Sequence, residues 1–398
     1  MKHPNILFAY ITPFHPEKGG IGRVTHTLTL ELQHRGYKVF YLIYPSGITV
    51  RHEYAYPAPL EYLPSSDLLS SENIIYYQDY LKRNQIDIVI NQSGNFSDSR
   101  LWLKAKDWNI KVISVLHSTP WVSYKHLWRE LYPLRNNSSI EKLKRIARII
   151  LYPKIKYKIK NSRIDHFRQL LPETDYVCTL SEKYFSELNE ICPGFERKYR
   201  AIANPNSYNT QEINTHLKKK KKQILWVGLF SVEKNPTLAI NIWKSMYQDY
   251  PDWEFVIIGY NKNGHWMERM QSLSKGIPNI LFEGFQNPLP YQLESSIFCL
   301  TSSYEGWPMV LIEAMQCGTV PIAFNSFASV TDIIDNGRNG ILIKPFSVKE
   351  YIKELRRLMD NPTLLQQMSE YAQQDIEKYS VENVVDKWEE LFKECAIQ

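Results

Sequence analysis

Cysteine is scarce in this sequence and is not arranged to bind a metal or to build a disulfide framework. The 398 residues include five cysteines, an odd number, which are widely spaced and form no CxxC pair. We therefore expect reduced thiols and a cytoplasmic protein. Long apolar runs are also lacking, because no stretch approaches the ~20 apolar residues of a membrane-spanning helix. The N-terminal apolar run is closed by Pro13 and Pro16, too early for a signal peptide, so any membrane contact is expected to be peripheral.

The GxSxG and HExxH motifs of common hydrolases are also missing, so nothing in the chain favours those activities. What the chain has is an ordinary globular composition, with 43% hydrophobic and 23% charged residues. Its length predicts two or three domains. The net charge of +6 is mildly basic, which is compatible with nucleic acid, an anionic membrane surface or a phosphorylated ligand.

The first part of the chain has the strand–loop–helix–strand pattern of a parallel α/β sheet. An apolar strand at 5–11 is followed by a loop with three glycines and by an amphipathic helix that ends at Gly36. Further strands are predicted at 38–44, 87–91, 111–117 and 175–181. A second α/β series begins at Gln223, directly after five adjacent lysines that predict a solvated linker. Two such series predict two Rossmann-like domains that face a cleft.

Two glutamates bracket the start of a predicted helix in the second series. Pro308 is expected in its first turn, so the N–H groups of Met309 and Val310, together with the helix dipole, predict a phosphate site. Glu305 precedes this site, and Glu313 lies within the helix, where it can accept hydrogen bonds from vicinal hydroxyls. A nucleotide sugar would suit all three features. A plainer interpretation, with Glu305 as a helix cap and Glu313 on the surface, fits this stretch alone equally well.

The stretch 305–318, with its EG-x-P-x-x-x-x-EA arrangement, resembles the signature of retaining glycosyltransferases of family 4. The resemblance covers nearly the whole chain and implies the α/β GT-B fold, in which two Rossmann-like domains face a central cleft. It implies an acceptor-binding domain, a linker, a nucleotide-sugar-binding domain and a C-terminal helix that returns to the first domain. The predicted limits of these four parts are 1–205, 206–222, 223–375 and 376–398.

The same resemblance implies roles for individual residues. Glu305 would contact hydroxyls of the donor sugar, Glu313 would bind the ribose, and Lys234 would neutralise the diphosphate. His117, at the end of a predicted strand, would touch the sugar near the reacting carbon, so Glu305 and His117 are the expected catalytic residues. Further donor contacts are expected at Gly20, Gly228, Gly306, Met309 and Val310, and acceptor-side contacts at Gly19 and Arg23. The alternatives are a structural role for His117 and a plain strand-to-helix turn for the glycine loop.

Leu229 departs from the family's pattern, because similar enzymes commonly have an arginine directly after the glycine that corresponds to Gly228. This missing cation keeps open a non-catalytic nucleotide-sugar-binding subunit. An Asp-x-Asp tripeptide, which usually carries the divalent metal in the other large class of glycosyltransferases, does not occur. We therefore expect no metal and no cofactor besides the donor substrate, a UDP- or GDP-sugar.

The segment 138–168 has the strongest charge imbalance. It contains ten Lys or Arg and two Asp or Glu residues, a net charge of +8. Ile140, Leu143, Ala147 and Ile150 form one apolar stripe at helical spacing. The segment could lie on an anionic membrane at the inner face of the cytoplasmic membrane, or it could pack its stripe on the domain. No recognised nucleic-acid module accompanies it, so we expect no nucleic-acid partner.

The sequence thus predicts a retaining, metal-independent hexosyltransferase. It would move a sugar from a nucleotide-sugar donor to a glycan or lipid-linked acceptor in surface polysaccharide, lipopolysaccharide or glycolipid biosynthesis. A nucleotide-sugar epimerase of related fold and the non-catalytic subunit are the two alternatives.

Overall fold

The computed structural model describes residues 3–44, 54–97, 99–122, 124–125, 127–128, 139–210, 213, 219–260 and 265–397. The chain forms two compact units. The first unit comprises Met1–Trp121, Ile159–Ser207 and Tyr379–Gln398, and the second comprises Val122–Lys158 and Tyr208–Lys378. In the described ranges, no helix is both long enough and apolar enough to cross a membrane.

Each unit is built around a parallel sheet. The strands are β1 (Ile6–Tyr10), β2 (Val39–Ile43), β3 (Leu60–Tyr62), β4 (Ile88–Asn91), β5 (Lys111–Leu116), β6 (Tyr176–Thr179), β7 (Tyr199–Ala201), β8 (Lys221–Val227), β9 (Glu254–Ile258), β10 (Ile280–Gly284), β11 (Ser295–Leu300), β12 (Val320–Phe324) and β13 (Ile341–Ile343). Among the described residues, the first sheet has the order β3-β2-β1-β4-β5-β6-β7 and the second β10-β9-β8-β11-β12-β13. These two parallel sheets confirm the predicted α/β fold class.

Helices connect the strands of both sheets. They are α1 (Gly20–His34), α2 (Ser71–Arg83), α3 (Ser99–Leu103), α4 (Ser139–Ile150), α5 (Tyr152–Leu170), α6 (Phe185–Ile191), α7 (Pro236–Lys244), α8 (His265–Ser274), α9 (Leu289–Glu294), α10 (Met309–Gln316), α11 (Val330–Ile333), α12 (Val348–Met359), α13 (Pro362–Ile376) and α14 (Val381–Ile397).

The first sheet is buried on both faces, as the apolar strands predict. Ile6, Leu7 and Phe8 of β1 are fully buried, and β1 pairs with β2 on one side and β4 on the other. The C-terminal helix α14 belongs to this unit. Arg35, which follows α1, binds Asp386 at 2.5 Å and Glu389 at 3.0 Å, both on α14.

The second sheet has its own core, in which large aromatic side chains such as Trp226, Trp243 and Tyr351 are fully buried. The predicted solvated lysine linker is wrong at its C-terminal end. Lys221 begins β8, and the Nζ atom of Lys220 donates hydrogen bonds to Gln292 O at 2.9 Å and Cys317 O at 2.7 Å. These carbonyl groups accept hydrogen bonds from the half-buried ammonium group, so Lys220 packs on the protein despite its charged neighbours.

Candidate active site

In the second unit, Glu305 and Lys234 form an ion pair at the carboxyl end of the sheet. The Nζ atom of Lys234 lies 2.5 Å from Oε1 and 2.6 Å from Oε2 of Glu305. The Ser302 hydroxyl donates a further hydrogen bond of 2.7 Å to Oε1. The Glu305 side chain is only 10% exposed, so this pair is screened less by solvent than an ordinary surface pair. The structure therefore brings together two residues that are 71 positions apart in the sequence and that were both predicted for the donor site.

Thr301, directly after β11, fixes the loop that carries Lys234. Its hydroxyl lies 3.0 Å from the carbonyl oxygens of both Lys234 and Asn235, and it accepts a 3.1 Å hydrogen bond from Trp226 Nε1. Asn235 has the left-handed φ of 52° at the start of α7. Sequence analysis missed Thr301 and Ser302. Their signal was a pair of hydroxyl residues directly after a buried strand, where parallel sheets place their ligands.

Helix α10 begins one residue later than predicted, with Pro308 directly before it. The Pro308 carbonyl accepts a hydrogen bond of 2.9 Å from Leu311 N. The N–H groups of Met309 and Val310 therefore come before this first helical bond and lie at the N-terminal end of the helix. Because the dipole of α10 is positive at this end, the position suits a phosphate.

The plainer interpretation of the two glutamates is wrong. Glu313 is fully buried within α10, so it is not a surface residue. The N-cap position of α10 is occupied by Pro308 and shows no side-chain cap, so Glu305 does not cap this helix. Burying a carboxylate costs free energy unless it is hydrogen-bonded, so a buried position needs polar partners.

Two glycines bring the ends of β8 and β9 close together. Gly228 N donates to Ile258 O at 3.0 Å, and a Cβ atom on Gly259 would lie 2.0 Å from Gly228 O. Only glycine fits at 259 without a shift of the backbone. Gly259 was not predicted, whereas Gly228 was, and the half-buried Leu229 follows it in the loop that leads to Lys234.

Arg338 is not a simple substitute for the missing arginine at Leu229. Its guanidinium forms a two-bonded pair with Asp375, with both hydrogen bonds at 2.9 Å. Lys262, a second cation that could replace the missing arginine, lies outside the described residues. Tyr260 and Phe285 follow β9 and β10 and form an exposed edge-to-face pair with ring centroids 5.1 Å apart. Such a pair offers aromatic surface at the edge where a nucleotide base would be expected.

The glycine loop of the first unit supplies the start of α1. Gly19 is its N-cap, with φ of 148°, a conformation that favours glycine, and Gly20 is its first residue. Arg23 N donates to Gly19 O at 3.1 Å, and Arg23 Nε donates to Pro16 O at 3.3 Å. The predicted acceptor-side residues Gly19 and Arg23 thus lie in one turn.

His117 follows β5 directly and pairs with a residue that sequence analysis missed. Its Nε2 atom lies 2.5 Å from Oε1 of Gln92, which is buried directly after the neighbouring strand β4. Gln92 Nε2 in turn donates a 3.1 Å hydrogen bond to the hydroxyl of Thr25 on α1. Burial lowers the pKa of His117 to about 4, so the ring is neutral at pH 7.

The loops around His117 are braced by helix α5. Arg163 donates to Asn95 O at 2.6 Å and to Pro120 O at 3.0 Å. His166 Nε2 lies 2.8 Å from Gly94 O. Burial, together with the nearby positive charge of Arg163, lowers the pKa of His166 to about 4, so this ring also stays neutral and donates.

Helix α4, in the second unit, has an exposed apolar stripe. Leu143, Ile146 and Ile150 are 67%, 54% and 72% exposed. Ala147, another member of the predicted stripe, is exposed as well, whereas the burial of Ile140 is not described. The alternative in which this stripe packs on the domain is therefore wrong for the members that the structure describes. The helix presents an apolar face beside its lysines and arginines.

Comparison with solved structures defines the fold class first. The Anabaena protein HepE (Alr3699), solved in complex with UDP and glucose, superposes with a TM-score of 0.72 and 13% sequence identity, over 98% of this chain and 100% of that chain. At this identity the likeness shows the fold alone, which is that of the GT-B glycosyltransferases.

Sequence comparisons identify the family. The model for Glycosyl transferases group 1 matches residues 209–375, and the model for Glycosyltransferase Family 4 matches residues 18–204. The chain belongs to the GT-B glycosyltransferases of the family 4 type. It is 33% identical to an uncharacterized glycosyltransferase of Haemophilus influenzae, over 47% of this chain and 53% of that protein. It is 26% identical to lipopolysaccharide 1,6-galactosyltransferase of Salmonella typhimurium, over 40% of this chain and 45% of that protein. The matched regions span about half the length of these relatives.

Proposed function

We propose that the protein is a retaining glycosyltransferase that transfers a sugar from a UDP- or GDP-sugar to a glycan or lipid-linked acceptor. The process would be surface polysaccharide, lipopolysaccharide or glycolipid biosynthesis. The observation that carries the proposal is the Lys234–Glu305 pair, in the same unit as α10 with its buried Glu313. The names of the relatives, which include a lipopolysaccharide galactosyltransferase, support this class of product.

The donor's charges match this arrangement. The diphosphate suits the N–H groups of Met309 and Val310 at the positive end of α10 and the ammonium of Lys234. Glu313 would accept hydrogen bonds from the ribose hydroxyls. Lys234 and Glu305 pair with each other, with Nζ–Oε distances of 2.5 and 2.6 Å. On donor binding Lys234 would share its charge with the diphosphate, and Glu305 would become available to sugar hydroxyls.

The difficult step in the reaction is departure of the nucleoside diphosphate. The bond from the anomeric carbon to the phosphate oxygen breaks, and its electron pair stays on the phosphate. Preorganised cations and backbone N–H groups stabilise that charge. The acceptor oxygen then forms a bond to the same face of the sugar, and its proton passes to the leaving phosphate. Proton magnetic resonance of the product tests retention, because an inverted anomeric centre would contradict this step.

A metal ion is not needed in this proposal. Among the described residues, no three or more His, Cys, Asp or Glu side chains are grouped as metal ligands. Because Lys234 and the N-terminal end of α10 would neutralise the diphosphate in this proposal, transfer should persist in excess chelator. Loss of activity that magnesium or manganese restores would overturn this part of the proposal.

The function is tested by incubating the purified protein with UDP-, GDP- and ADP-sugars and measuring released nucleoside diphosphate, with and without a membrane-lipid extract. Release from one donor that increases with the extract, together with a radiolabelled glycan or lipid product, would support the proposal. Conversion of the sugar without acceptor would favour the epimerase instead. Binding without turnover would favour the non-catalytic subunit. Leu229, which stands where similar enzymes commonly have an arginine, is the observation that favours this alternative.

We also propose that the protein is cytoplasmic and docks on the inner face of the cytoplasmic membrane. The exposed stripe of α4 would enter the headgroup region, and the cations of 138–168 would bind anionic lipids at ~1 kcal/mol each. Leu143 and Ile150 are the most exposed members of the stripe. A lipid-linked acceptor would then be reached at the surface where it resides.

Sedimentation with vesicles tests the docking. Vesicles with phosphatidylglycerol should bind the protein, and those of phosphatidylcholine alone should not. Changing both Leu143 and Ile150 to Ser should abolish binding, whereas Ile75→Ser, on α2 and 60% exposed, should not. Equal binding by wild type and the double variant would contradict the role of α4.

A further inference from the structure

The most telling contact outside the donor site is the one between Gln92 and His117. Both residues come directly after neighbouring parallel strands, β4 and β5. The Oε1 atom of Gln92 lies 2.5 Å from Nε2 of His117. Its amide nitrogen donates to the Thr25 hydroxyl at 3.1 Å. The side chain of Gln92 is thus held at both ends, and Thr25 belongs to the helix that the glycine loop starts.

The backbone around Gln92 is as firmly fixed as its side chain. Gln92 N donates to Ala9 O at 2.9 Å, and Asn91 Nδ2 donates to the Ser114 hydroxyl at 3.1 Å. A Cβ atom on Gly94 would lie 2.5 Å from Val115 O, so the loop packs too closely against β5 for any other residue. A glutamine held in this way can orient a neighbouring ring.

We propose that Gln92 is a positioning residue that holds His117 as the neutral tautomer with the proton on Nε2, leaving Nδ1 as the acceptor for a sugar hydroxyl. The reason is hydrogen-bond direction. Gln92 Nε2 already donates to Thr25, so the atom that faces His117 is the carbonyl oxygen Oε1, which can only accept. The imidazole must then donate from Nε2. In a neutral ring the other nitrogen carries the lone pair.

A neutral partner for His117 matters for the chemistry of the proposed function, on which this part of the inference rests. Positive charge develops on the sugar ring as the leaving group departs, and an imidazolium beside it would oppose that charge. Glutamine cannot supply the negative charge that would stabilise an imidazolium, whereas aspartate or glutamate could. Among the described residues, the titratable groups that bind the same loops include Arg163 and His166 from α5. They also include two from α6, Glu187 through Thr119 and Trp121, and Glu190 through Trp121. Arg100, on α3, adds positive charge near His166.

The inference is tested on the full chain without substrate, by nitrogen-15 magnetic resonance of the histidine rings. Wild type should show His117 as the Nε2–H tautomer with a pKa well below 6. Gln92→Glu should raise the pKa of His117 to roughly 6 or higher, because a carboxylate beside the ring stabilises its charged form. Gln169→Glu, on an exposed face of α5, is the control that adds the same charge and should leave the pKa unchanged.

Thr25→Val provides a second variant of nearly the same shape in case Gln92→Glu fails to fold. It removes the hydroxyl that fixes the amide, so Gln92 can flip and His117 should become a mixture of tautomers. An Nδ1–H tautomer in wild type, or unchanged tautomer and pKa in both variants, would overturn the inference. These spectra need no activity, so they stand even if the proposed transfer fails.

Where transfer is measured, the pH profile gives an independent readout. Gln92→Glu should move the acid limb of kcat upward by about 2 pH units, because the ring now protonates at higher pH. Below that limb kcat should fall at least 10-fold with little change in KM for the donor. A purely structural role for Gln92 would lower activity equally at all pH values, and that result would count against the proposal.

Discussion

The two side chains proposed as catalytic are held in opposite ways. Glu305, in the second unit, is paired with the charged Lys234, with Nζ–Oε distances of 2.5 and 2.6 Å. His117, in the first unit, is paired with the neutral Gln92 at 2.5 Å. Both lie just past the carboxyl end of a buried parallel strand, where a sheet exposes side chains on a rigid base.

The difference follows from what each partner can donate or accept. A lysine stabilises the charged form of a carboxylate, whereas a glutamine oxygen accepts a proton without adding charge. The first unit thus keeps its histidine neutral, and the second pairs its glutamate with a cation. Electrostatic changes should therefore affect Glu305 through Lys234, and pH changes should affect His117 through burial.

The largest effect is expected from Lys234→Met, which removes the charge partner of Glu305. The diphosphate would also lose its ammonium, so transfer should fall by roughly 100- to 1,000-fold. Turnover with saturating donor is the measurement. Lys221→Met is the matched control, because Lys221 is paired with Glu294 on the exposed surface of the same unit. Equal activity in the two variants would contradict the role of Lys234.

Acid should destabilise the first unit through its neutral histidines. The pKa of His117 and that of His166 are lowered to about 4 by burial, from 6.5. Between pH 6.5 and 4 the unfolded chain binds protons that the folded chain does not. The free energy of unfolding therefore decreases as the pH is lowered, by up to about 3 kcal/mol per histidine. Urea titrations across this range measure it.

His166→Gln separates the contribution of His166 to this acid destabilisation from that of His117. Glutamine can still donate to Gly94 O but does not titrate, so the acid-induced loss of stability should be about half that of wild type. His34→Gln, on an exposed side chain, should change nothing. Identical slopes for all three proteins would show that burial does not hold His166 neutral.

A smaller effect is expected from Ser302→Ala. The hydroxyl donates one 2.7 Å hydrogen bond to Glu305, so its loss should reduce transfer roughly 10-fold, the equivalent of one hydrogen bond to a charged group. Ser296 lies on β11, and its hydroxyl donates to Lys221 O. Ser296→Ala should therefore leave transfer nearly unchanged. A loss in both variants would indicate damage to β11 instead of a role at Glu305.

The smallest effect is expected at the pair of Lys221 and Glu294. The Lys221 side chain is 57% exposed, so breaking the pair should change the free energy of unfolding by less than about 1 kcal/mol. Thermal unfolding of Glu294→Ala measures this. A larger change would mean that this exposed pair stabilises the fold more than solvent screening allows.

Much of the fold was predictable, because the strands are short apolar runs with a repeating α/β order. Glu305 and Glu313 could be predicted as a pair, since proline, glycine and apolar residues mark the helix between them. Hydrophobic pattern and turn residues suffice for such features.

The contacts that support the site were harder to predict from the sequence. Thr301 and Gly259 matter because β8 lies between β9 and β11, which is a fact of sheet order. Gln92 could have been found, since it directly follows the predicted strand 87–91, but its pairing with His117 requires β4 beside β5. Lys220 was misjudged because charge repulsion in a lysine run was weighed without the carbonyl groups that bind it.

The most direct test of the proposed transfer compares Glu305→Ala with Glu294→Ala in release of nucleoside diphosphate from the preferred donor. Both variants remove a carboxylate that is paired with a lysine in the second unit. The proposal predicts that Glu305→Ala loses turnover by roughly 100-fold or more, while Glu294→Ala stays within about twofold of wild type. Transfer that survives intact in Glu305→Ala would contradict the assignment of the active site.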